Sequence, residues 1–242
     1  SDSRLQATTG GFVKFAYNWK NLFYVDSHID ALNLVIGKDS IQTDVFDLYA
    51  EAKEDSTAAR FQTGDCNLSF ATPINFFSLM QKVEKLQKET VKQFKRREVN
   101  LDDLKHYLPS LSLHADVGNN NPLADIFKIY GMTFGELCAH VDTSPTEGVM
   151  SHGHVYSFTK DGVMLDTAFF RIEQDSTQLD YNVGLQCHQQ QTIPAFKASL
   201  TGFLMANKAE AHLTYFDKRN HKGIDLGVRA LANDSCVTYK LF

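Results

Sequence analysis

Two runs rich in β-branched and aromatic residues, Val149 to Phe158 and Val163 to Ile172, flank Lys160-Asp161-Gly162, a turn in which the glycine can take positive φ. This pattern predicts a β-hairpin. Around it the other local signals read as helical. Ser27 is a candidate N-cap for a short helix over His28 to Ile36 that Gly37 would end, and a second helix is expected over residues 41–54, with Val45, Phe46, Leu48 and Tyr49 inward. Thr72-Pro73 predicts the start of a longer helix reaching about Glu98. Its second half interleaves Lys82, Lys85, Lys88, Lys92, Lys95, Arg96 and Arg97 with Val83, Leu86, Val91 and Phe94, as a solvated face or a surface for an acidic partner or lipid. After the loop marked by Asn119-Asn120-Asn121-Pro122, short helices are expected over residues 123–130 and 133–140.

Charge narrows the function classes. The 242 residues carry 24 basic and 29 acidic side chains, a formal charge of −5, which argues against a nucleic-acid binder because duplex affinity comes from clustered cations. Hydrophobic residues at 43% and charged residues at 22% allow a packed core. Apolar runs are broken within about ten residues, so no membrane span is expected. The opening Ser1-Asp2-Ser3 reads as a mature or trimmed form. Cys66, Cys138, Cys187 and Cys236 form no CxxC pair, which excludes a disulfide framework and a zinc ribbon and makes buried thiols the default.

Three pieces suggest chemistry. Gly64-Asp65-Cys66 is a glycine turn delivering a cysteine ahead of a helical region, where a helix amino terminus would favour the thiolate. His152-Gly153-His154 opens the first strand of the hairpin, and Asp166 lies on its return strand, roughly opposite His154. Thiolate, imidazole and carboxylate are the minimum set for nucleophilic attack on an acyl carbon. A cysteine after glycine at a helix entry, followed downstream by His-Val-Tyr, an Asp-Gly turn and Leu-Asp-Thr, resembles the transglutaminase-like branch of the papain-like superfamily. The resemblance covers about residues 40–172 and implies an α+β core with a helical insertion. It implies Cys66 as nucleophile, His154 as acid and base, and Asp166 as the orienting carboxylate. The substrate would be a protein or peptide amide, attacked by a protease, glutamine deamidase or transamidase. His152 competes with His154, sharing its strand face, while Gln62 and the Cys66 amide are candidate oxyanion donors. A noncatalytic interaction module on the same fold is the alternative. Cys138, His140, His152 and His154 would suit zinc, but a helix over residues 133–140 points Cys138 and His140 about 200° apart, so neither metal nor cofactor is expected.

The tail reads as helical. Ala206 to Leu213 and Lys222 to Leu231, with small residues at Ala209, Gly227 and Ala230, resemble a tetratricopeptide-repeat helix pair, followed by an Asn233-Asp234-Ser235 turn. The expectation is therefore α+β: a cysteine domain over residues 1–174 and a helical repeat-like segment over 175–242 that offers a surface to a protein partner. A periplasmic or secreted location is favoured over the cytoplasm.

Overall fold

A computed structural model describes residues 3–7, 10–18, 22–36, 39–96, 100–175, 177–190, 193–232 and 236–242. Its sixteen strands belong to one antiparallel sheet. The strands are β1 (Ser3–Ala7), β2 (Gly11–Asn18), β3 (Leu22–Ile36), β4 (Asp39–Ala52), β5 (Thr57–Thr63) and β6 (Cys66–Thr72). Helices α1 (Phe76–Arg96) and α2 (Leu101–Tyr107) follow, then β7 (Leu111–Val117), α3 (Pro122–Ile129), β8 (Met132–Thr133) and β9 (Glu136–Ser144). The chain continues as a meander through β10 (Gly148–Lys160), β11 (Val163–Gln174), β12 (Gln178–Cys187) and β13 (Phe196–Met205). It ends with β14 (Lys208–Phe216), β15 (Lys222–Ala232) and β16 (Val237–Leu241). Among the described residues, neighbours in sequence are neighbours in the sheet, except that β2 pairs only with β3 and β8 only with β10.

The turns explain why the meander is so regular. Two-residue links Gly64–Asp65, Asp161–Gly162 and Ala206–Asn207 each contain positive φ, at Gly64, at both Asp161 and Gly162, and at Asn207. That conformation matches the twist of adjoining strands. Between strands, aromatic rings lie over glycines: Phe170 over Gly153, Phe169 over Gly184, Tyr181 over Gly202 and Phe242 over Gly227. A Cβ at Gly184 would meet the Phe169 ring at 2.3 Å.

The hairpin expected at residues 149–172 is present, although its register sets His154 against Phe169 rather than Asp166. The α+β papain-like core with a helical tail is overturned. Residues 28–36, 41–52 and 136–140 are strand, as is nearly all of the described chain from 178 onward. The physical cause is period. Lys208-Ala209-Glu210-Ala211-His212-Leu213-Thr214-Tyr215 contains strong helix formers, yet it alternates polar and apolar residues at every step, and pairing on both sides outweighs propensities worth a few tenths of a kcal/mol each. Among the described residues from 178 onward there is no helix pair, so the repeat-like helical segment is overturned. Around residue 175 the chain passes from β11 to β12, which pair in the same sheet. The proposed helix end at Gly37 and the Asn233-Asp234-Ser235 turn lie outside the described residues, as does Glu98. The long helix itself forms, but Thr72 closes β6, donating its hydroxyl to the Ser110 carbonyl, and Asn75 caps α1 by accepting from the Ser78 amide at 2.8 Å. Residues 123–129 are helical as expected, within α3.

Candidate functional site

Because directly paired residues share a face, the ladders sort the sheet into two surfaces. One row runs Val13, Ser27, Leu48, Phe61, Leu68, Ala115, Ala139, Gly153, Phe170, Val183, Leu200, Leu213 and Leu226. The next row on that face runs Phe15, Val25, Ala50, Ala59, Phe70, Leu113, Val141, Ser151, Ile172, Tyr181, Gly202, Ala211, Val228 and Leu241. Neither contains a charged residue. On the opposite face the corresponding row is Lys14, Asp26, Tyr49, Arg60, Ser69, His114, His140, His152, Arg171, Asn182, Thr201, His212 and Gly227. Ion pairs gather there, including His28–Asp47 at 2.5 Å, His212–Asp225 at 2.6 Å and Arg229–Glu210 at 2.7 Å.

The apolar face is only partly covered. Asn121 caps α3 through the Ala124 amide, and Ala124 packs with Cys66, Val117 and Phe134. Phe61, Leu68, Leu137 and Val155 border that cluster. Farther along the same face, side chains stay open: Val183 is 40% exposed, Leu185 41% and Leu200 38%. A shallow hollow of about 350 Å³ there is lined by Leu137, Ala139, Val155, Phe170, Val183 and Leu185 among others. At the other end, Phe76 and Phe77 of α1 join Tyr17, Phe23, Ala50 and Ala59 around a cleft of about 370 Å³. The larger cavity, about 780 Å³, follows the strand ends near Ala58, Ser112, Asp142 and Glu173.

The residues expected to form a catalytic triad are dispersed. Cys66 follows a hairpin turn and opens strand β6 rather than a helix. It is fully buried on the apolar face, and burial, followed by the nearby Asp65 charge, raises its thiol pKa. His154 lies on the polar face, and β10 is three ladder steps from β6, roughly 14 Å at the usual strand spacing. Asp166 hydrogen-bonds His188. Gln62 sits on the polar face beside Asn67 and Asp47, and His152 between His140 and Arg171.

His152 shares its row with His140, which the expected helix over residues 133–140 had separated from Cys138, and with His114. The His114 and His140 rings stack at 4.6 Å, and His140 meets His152 at 5.0 Å. His140 Nε2 lies 3.0 Å from Asp116, which is paired with Cys138. Burial pushes Asp116 upward, but its bonds to His140 and Cys138 prevail and hold it below the ordinary aspartate value. Burial and the Asp116 carboxylate push the Cys138 thiol up to about 11. The spacing His114-x-Asp116 is the signal that the sequence reading lacks, and Cys138-x-His140 becomes a shared face once residues 136–144 are a strand rather than a helix.

No family model matches the chain, and no solved structure matches it. A curated protein, the type II restriction enzyme MboI of Moraxella bovis, is 27% identical over 128 residues, spanning 53% of this chain and 38% of the enzyme. The chain thus spans well under half the length of that relative. No helix among the described residues is long and apolar enough to cross a membrane.

Proposed function

We propose that this chain binds lipid acyl chains along the apolar face of its sheet. The observation that carries the reading is the pair of ladder rows, each crossing at least thirteen strands without a charged residue, while the row traced on the opposite face holds Lys14, Asp26, Arg60 and Arg171 with four histidines. An apolar sheet face is stable in water only when something covers it, and α3 covers only part. Acyl chains suit the remainder because they need no hydrogen-bonding partners, and the rows offer few. Withdrawing an acyl chain of about fourteen methylenes from water contributes on the order of 10 kcal/mol before ordering costs. The basic helix α1 supports the same reading, since it places lysines beside exposed apolar side chains at one end of the face.

The test is uptake of a fluorescent phospholipid from phosphatidylcholine vesicles, followed by separation of protein from vesicles. Wild-type protein is expected to elute with lipid. Leu185→Asp and Leu200→Asp should reduce uptake at least tenfold, whereas Thr201→Asp on the polar face should leave it unchanged. Equal uptake by wild type and both apolar-face variants would overturn the reading. The likeness to a restriction enzyme favours a second reading, DNA binding, which the charge of −5 opposes. Salt-dependent retention of a DNA duplex, without lipid uptake, would select it.

A further inference from the structure

We propose that Asp116, Cys138 and His140 form a site for one divalent cation of the zinc class on the polar face. Their donor atoms all lie within 4.8 Å of one another, a spread that one ion at about 2.0–2.3 Å from each can span after small rotations. The backbone holds the three in place. Cys138 and His140 are i, i+2 on β9 and therefore project from the same face, and Asp116 is directly opposite Cys138 on β7. Both strands are paired on each side, so the site is built before an ion arrives. The geometric objection raised by a helix over these residues does not apply to a strand.

The donor set selects the metal. Thiolate, imidazole and carboxylate together suit zinc and its borderline neighbours rather than calcium or magnesium, which prefer oxygen alone. Three protein ligands leave a fourth position for water. His154 occupies the ladder position opposite Cys138 on β10, and its Nε2 is buried, makes no hydrogen bond and approaches Glu136 only to 3.4 Å. His114, stacked on His140 and linked to Ser112 at 3.1 Å, fixes the outer side of the site. On binding, the Cys138 thiol gives its proton to solvent and the His140–Asp116 contact is replaced by bonds to the ion.

The site lies opposite the proposed lipid face and does not depend on it. After chelator treatment, the whole chain is titrated with Co²⁺ and then Zn²⁺. One ion per chain is expected, with a thiolate-to-cobalt charge-transfer band that Zn²⁺ removes. Cys138→Ser should abolish the band. Asp116→Asn and His140→Gln should weaken Zn²⁺ binding at least tenfold, and Cys236→Ser, at an exposed thiol, should leave both readouts intact. Circular dichroism and the urea-unfolding midpoint report whether each variant has kept its fold. A band that survives Cys138→Ser, one that disappears in Cys236→Ser, or unchanged Zn²⁺ affinity in folded Asp116→Asn and His140→Gln would overturn the site.

Discussion

Gly64 has φ +55°, and a Cβ there would stand 2.4 Å from the Asn120 carbonyl oxygen, so the turn leaves no room for a side chain. The next residue, Asp65, accepts from the Asn120 amide at 3.0 Å and from the Asn121 side chain at 2.6 Å. Asn121 in turn caps α3. Gly-Asp therefore serves to latch a distant loop over Cys66, and the motif resembling a nucleophile turn ends in a fully buried thiol. Asp65→Ala removes a charged acceptor shared by two donors and loosens the cap, and should lower stability by about 1–2 kcal/mol in urea unfolding. An unchanged midpoint would mean that the latch contributes nothing.

Helix α1 was legible in the sequence because its signals are local: a long apolar-basic pattern with six basic and two acidic side chains. Its orientation was not legible. Leu79 and Gln93 are buried, the latter accepting from the Asn100 amide, while Phe77, Met80 and Phe94 stay 60%, 51% and 62% exposed. An exposed apolar stripe bordered by lysines resembles helices that lie in a bilayer interface. The protein is expected to bind phosphatidylglycerol vesicles more tightly than phosphatidylcholine vesicles, and less tightly as salt rises. Met80→Glu with Phe94→Glu should weaken that binding several-fold, measured by vesicle flotation. The strands at 28–36, 41–52 and 208–231 were misread for the opposite reason. What forms them is ladder pairing with partners elsewhere in the chain, which outweighs the helix formers among their residues.

Across the whole sheet, the open apolar face predicts behaviour unusual for a native protein. Anilinonaphthalene sulfonate should fluoresce on the folded chain, with an intact near-ultraviolet dichroism spectrum, and be displaced by phospholipid. Dye binding seen only after unfolding would show that the face is covered in solution. The sequence by itself determined the hairpin at 149–172, the positive-φ turn at Gly162, the amphipathic α1 and the negative charge, because each depends on residues within a few positions of one another. Only the tertiary structure decided that Cys66 and His154 occupy opposite faces, that Asp116, Cys138 and His140 converge, and that uncharged rows join strands from one end of the chain to the other. Side-chain direction in a strand alternates with every residue, so a shift of one position in any ladder would exchange the two faces. That register is set by pairing between distant segments and cannot be read from either segment alone.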